Sequence, residues 1–105
     1  AEKAQRVRAE LQQLQVFEED GSLNAPAAAQ AITLLRNFAG NGEEAQIPVM
    51  AKIAFKAQLQ SASWTQTRSN DVDVILKDGT KLESRDLGKT VTFTYPDGSR
   101  ETLYP

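Results

Sequence analysis

Carboxylates, hydroxyls, lysines and arginines are the side chains left to this 105-residue chain for chemistry, because it contains neither cysteine nor histidine. Those two absences remove disulfides, thiolate nucleophiles, the common structural zinc sites and the usual general base near neutral pH. Asp71 and Asp73 stand two apart, so on a strand they project from one face, where paired carboxylates can hold a hard cation or share a proton. Spacing supplies neither a third ligand nor an acid/base partner, and a solvated strand face explains the pair more simply. The run Glu18-Glu19-Asp20-Gly21-Ser22-Leu23 has the outline of a calcium loop, with Gly21 at the sharp turn. If Gly21 takes the sixth loop position, however, the first is Val16 and the twelfth Ala27, and neither carries a carboxylate. The segment reads as an acidic connection between helices. We therefore expect no catalytic residue, no metal and no cofactor.

Binding is left. Lys52 and Lys56 alternate with apolar residues, and with Trp64 and Tyr104 they make the candidate interaction surface. Exposed lysines also guard strands against edge pairing, which accounts for them without a ligand. Phe38, Phe55, Trp64 and Phe93 are the aromatics able to line an apolar pocket, and equally the natural core.

The charge balance narrows the partners. Residues 1–50 carry four basic and seven acidic side chains and residues 51–105 carry eight and seven, so neither half is a surface that neutralises several phosphates. Nucleic acid is disfavoured. No apolar run approaches the roughly 20 residues that span a bilayer, and the first residues lack the pattern of a secretory leader. The chain opens on Ala1-Glu2, as a processed form or a piece of a longer chain would. Lacking cysteine, it suits either redox compartment.

The elements that must position these residues begin with a helix over about 2–19, where Ala4, Val7, Leu11 and Leu14 repeat at helical spacing. A second runs over about 25–39, with Asn24 as its cap, Pro26 in its first turn and Gly40 at its end. The two form an αα-hairpin through Asp20-Gly21-Ser22-Leu23. From Val49 to Leu59, Val49, Ala51, Ile53, Phe55, Ala57 and Leu59 fall on odd numbers and Lys52 and Lys56 on even ones, which predicts a strand over about 49–66. A bulge near Ser61-Ala62-Ser63 would return Trp64 to the core, since Ala62 and Trp64 are even-numbered. A turn at Arg68-Ser69-Asn70 leads into strands over about 71–77, 80–84, 89–95 and 99–104. Asp78-Gly79 and Asp97-Gly98 allow the positive φ of tight hairpins. Three-residue loops there set Val74 opposite Leu82 and Val91 opposite Leu103, leaving Thr90, Thr92, Thr94 and Thr102 on the wetter face.

The expectation is one α+β domain over residues 1–105: an N-terminal αα-hairpin packed on a curled antiparallel meander of about five strands. This order of elements resembles that of the cystatin-like and NTF2-like rolls. The likeness is of layout alone and carries no functional residue. Two roles fit. The first is a non-catalytic protein-interaction or accessory domain, with protein as partner and self-association possible through a sheet edge or the first helix. The alternative is a small-molecule-binding or sensory roll with its pocket between helices and sheet, which requires residues 49–104 to form one extended, curled layer.

Overall fold

Residues 2–39, 46–65, 71–86 and 88–105 are described by the structure, a computed structural model. Helices come first: α1 spans Glu2–Gln13, α2 Ala25–Ala39 and α3 Ile47–Phe55. Five strands follow, β1 Leu59–Thr65, β2 Asp71–Leu76, β3 Lys81–Arg85, β4 Thr90–Thr94 and β5 Arg100–Leu103. They lie in sequence order as an antiparallel meander. The expected α+β architecture is present, with a third helix added.

α1 is shorter than the predicted 2–19. Its Val7 and Leu11 are buried and its Ala4 and Leu14 pack against the same cluster, but the chain leaves the helix so that Val16 can also be fully buried. Phe17 then bridges Leu23, the Glu18 N–H donates to the Ser22 carbonyl (2.7 Å), and the Asn24 N–H donates to the Val16 carbonyl (2.7 Å). This small clasp satisfies backbone groups that a longer helix would have satisfied internally. The interhelical connection thus runs from Leu14 to Asn24 rather than over the four residues expected. α2 keeps its expected limits. Asn24 Oδ1 accepts the Ala27 N–H at 3.2 Å and caps it, and Pro26 occupies the first turn. Gly40, expected to end it, lies outside the described residues, as does the turn at Arg68-Ser69-Asn70.

The strand predicted from residue 49 is a helix up to Phe55. Its buried residues are Ile47, Met50, Ala51, Ala54 and Phe55, an i, i+3, i+4, i+7, i+8 stripe, while Val49 is 53% exposed. The odd-number pattern came from counting Val49 as buried and overlooking Ile47, Met50 and Ala54, which complete the helical stripe. Pro48 starts this helix and Ala, Met and Lys favour it. Lys56 (φ 49°) and Ala57 (φ 65°) then take left-handed conformations that reverse the chain into β1. With that segment helical, the single extended layer required by a roll-type pocket is missing, and so is the long bent strand behind the likeness to the rolls.

The sheet follows expectation closely. Val74 faces Leu82 and Val91 faces Leu103. The parity change before Trp64 is real and lies one residue earlier than predicted: Leu59 pairs with Leu76 and Ser61 with Ile75, which leaves Gln60 as the bulged residue. Val72, Val74, Leu76, Leu82, Val91 and Phe93 form the inner face, and α2 packs across β2, β3 and β4 with α3 against β1. The inner-face residues and the helical stripes, Ile47 apart, belong to a single buried cluster.

Candidate functional site

The C-terminal hairpin is locked at its tip. The Tyr95 N–H donates to the Ser99 carbonyl and the Gly98 N–H to the Tyr95 carbonyl, both at 2.9 Å, with Gly98 at φ +88°. Asp97 Oδ1 accepts the Ser99 hydroxyl (2.6 Å) and the Ser99 N–H (2.8 Å), and those two bonds hold the Asp97 carboxyl below the usual carboxylate range. A fixed tip determines which backbone groups point where. Since Tyr95 and Ser99 are a hydrogen-bonded pair, the antiparallel alternation makes Phe93–Glu101 and Val91–Leu103 hydrogen-bonded pairs as well. The main-chain N–H and C=O of Arg100 and Thr102 therefore point off the sheet, and among the described residues no strand lies beyond β5.

Side chains on this edge divide by parity. Arg100 and Thr102 lie on the open face, where the Thr92 and Thr102 hydroxyls approach to 3.4 Å. Glu101 and Leu103 lie on the helical face. Glu101 Oε1 accepts the Tyr95 hydroxyl at 2.7 Å, and the Tyr95 ring stacks on Phe93 with centroids 6.4 Å apart and planes 13° apart. Partial burial, then the bond to Glu101 and its negative charge, push the Tyr95 phenol up to about 12. One carboxylate oxygen is thus oriented by a phenol that keeps its proton.

Beside the edge runs a groove of about 330 Å³, lined by Pro26, Ala29, Gln30 and Thr33 of α2 and by Leu103, Tyr104 and Pro105. Its lining is mainly apolar. Short side chains at Ala29 and Thr33 leave the channel between helix and strand, and the Thr33 hydroxyl is turned onto the Ala29 carbonyl of its own helix (3.0 Å). Tyr104 is 77% exposed at its rim.

Of the residues nominated for an interaction surface, Lys52 is exposed on α3 and Lys56 caps that helix, so neither projects from a strand. Trp64 is partly buried on β1 and Tyr104 follows β5, at opposite edges of the sheet. The four do not form one surface. The nominated pocket aromatics Phe38, Phe55 and Phe93 have no exposed surface and lie in the core cluster, with Trp64 packed against it. Lys56 instead lines a cleft of about 300 Å³ with Phe17, Gly21, Gln58, Leu76 and Asp78. In the acidic connection, Asp20 Oδ1 is occupied by the Ser22 hydroxyl (2.6 Å) and N–H (2.9 Å).

Asp71 and Asp73 do share the open sheet face. Between them and Glu83 sits Arg85, with Nη1 at 2.7 Å from Asp73 Oδ1, Nη2 at 2.9 Å from Glu83 Oε2 and Nε at 3.6 Å from Asp71 Oδ2. Burial disfavours the guanidinium charge, but Asp73, Asp71 and Glu83 outweigh it and raise the Arg85 pKa. The carboxylates are occupied by an internal cation. Sequence reasoning did not single out Arg85, Glu101 or Tyr95, although the correct Val91–Leu103 register already implied Phe93 opposite Glu101.

Comparison with protein-family models, with curated proteins and with solved structures returns no match.

Proposed function

We propose that this chain is a non-catalytic interaction domain that accepts an extended segment of a partner protein along β5. The observation that supports the reading is the coincidence of two features: outward-pointing backbone groups at Arg100 and Thr102, and an apolar groove beside them. An added strand satisfies the backbone groups while its alternate side chains enter the groove, the usual division between affinity and specificity in strand addition. The first helix is a poorer docking element, because its apolar stripe is already packed into the chain's own core.

The test is selection of binders from a displayed library of random linear peptides, followed by amide chemical-shift mapping. Shifts concentrated on Arg100–Leu103 and on Ala29–Thr33 are the expected result. Thr102→Pro removes an outward N–H without touching the ladder to β4 and should abolish binding. Binders that shift other surfaces and are insensitive to Thr102→Pro would refute it.

A small-molecule role has one observation of its own, the cleft beside Lys56, Phe17 and Asp78. Fragment screening by chemical shift would favour it if hits map there and leave β5 unmoved.

A further inference from the structure

We propose that the segment accepted at β5 carries a basic residue opposite Glu101 and, two residues away, an apolar residue opposite Leu103, and that it comes from a different protein rather than from a second copy of this chain. The inference rests on the reading above and deepens it.

Because Phe93–Glu101 and Val91–Leu103 are the hydrogen-bonded pairs toward β4, an antiparallel strand on the other side of β5 meets Glu101 and Leu103 as non-hydrogen-bonded pairs. Those are the close pairs, with Cα atoms about 4.5 Å apart, where side chains touch most fully. Glu101 and Leu103 face the helical layer, so the incoming side chains opposite them stand on that side too. The one beside Leu103 lies over Ala29, Gln30 and Thr33, where an aliphatic side chain removes apolar surface from water. The one beside Glu101 meets an exposed carboxylate whose Oε1 is already held by the Tyr95 hydroxyl. A lysine or arginine there gains a charge-assisted bond to an acceptor that needs little further ordering.

The same register argues against self-pairing. Two copies joined antiparallel about a twofold axis bring inner-face residues together, so Glu101 meets its own counterpart, Leu103 or Pro105, and never a cation. Arg100, the nearest positive charge on the strand, lies on the opposite face. Like carboxylates directly opposite one another are unfavourable. The edge is therefore complementary to a strand of different composition.

Binding of fluorescent linear peptide pools to the intact chain tests this. At the position fixed by the apolar residue, pools with Lys or Arg two residues away should bind about tenfold more tightly than pools with Glu, and the preference should shrink with added salt. Glu101→Lys, at an exposed site, should invert it. N-methylation of the peptide amide that faces Thr102 should abolish binding without altering the protein, which covers the event that Thr102→Pro fails to fold. If binding requires that amide but shows no charge preference, or a preference unchanged in Glu101→Lys, the basic–apolar rule falls and strand addition stands. If concentrated chain alone dimerises through β5, the heterologous partner is overturned. If no pool shows Thr102-dependent binding, strand addition itself is withdrawn.

Discussion

Ser84 is the one small polar side chain at the centre of the inner sheet face. It lies in the cross-strand row Trp64, Val72, Ser84, Val91, Leu103, has no exposed surface, and its hydroxyl has no hydrogen-bond partner among the described residues. A buried hydroxyl without a partner costs about 1–3 kcal/mol of desolvation. Ser84→Ala removes that cost and forfeits only the dispersion contacts of one oxygen, at about 0.1–0.2 kcal/mol each. The net expectation is a stabilisation of about 1 kcal/mol, or roughly 4–8 °C in Tm for a domain of this size. Most core substitutions destabilise, so the sign alone is discriminating. Urea unfolding followed by the fluorescence of Trp64, the only tryptophan, measures it, with an unchanged m value as the sign that only the native state has moved. A loss of about 1 kcal/mol or more would refute the reasoning. It would mean that the hydroxyl is satisfied in solution, for which a buried water is the obvious agent.

Val49→Lys should change stability by less than about 0.5 kcal/mol because Val49 is exposed, whereas Met50→Lys should unfold the chain at 25 °C; the reverse order in a denaturant series would restore the strand over 49–59. Ala57→Gly should stabilise by about 0.5 kcal/mol, since relief of a left-handed alanine exceeds the added entropy of the unfolded glycine; a loss in thermal unfolding contradicts it. Gly88→Ala should cost about 1–2 kcal/mol, because Gly88 has φ +79° and a Cβ there would overlap the Arg36 guanidinium; calorimetry showing no change would be the contrary result. In a Tyr104→Phe background, the ultraviolet titration of Tyr95 should have its midpoint near 12 and move down in Glu101→Gln. Folding holds this proton to about 12 while the unfolded tyrosine releases it near 10, so the associated stability is full below pH 10 and is lost as pH rises through that window. A midpoint unmoved by Glu101→Gln would separate the two side chains.

Sequence signals agree with the structure where their physics is short-range. Asp78-Gly79 and Asp97-Gly98 demand positive φ within three-residue loops, and a loop of known length imposes the register that sets Val74 against Leu82 and Val91 against Leu103. Asn24 and Pro26 mark a helix start through bonds that reach only three or four residues. The candidate site was less legible. Tyr104 was nominated and does border the groove, but Lys52, Lys56 and Trp64 lie elsewhere, because their grouping assumed a strand.

The helical character of α3 is masked in the local pattern for a specific reason. In Ile47–Phe55 nearly every position is apolar or alanine, so alternation and helical stripe overlap, and only the neighbours decide which set is buried. Composition and local pattern alone determined the helices-then-meander order, the hairpin registers and the absence of thiol and imidazole chemistry. Tertiary packing decided the rest: that residues 47–55 coil against α1, α2 and β1, that Arg85 occupies the Asp71–Asp73 face, and that α2 leaves a channel beside β5. Each depends on contacts between different elements of the fold, α3 with α1 and α2 and α2 with the sheet among them, which a local sequence pattern does not record.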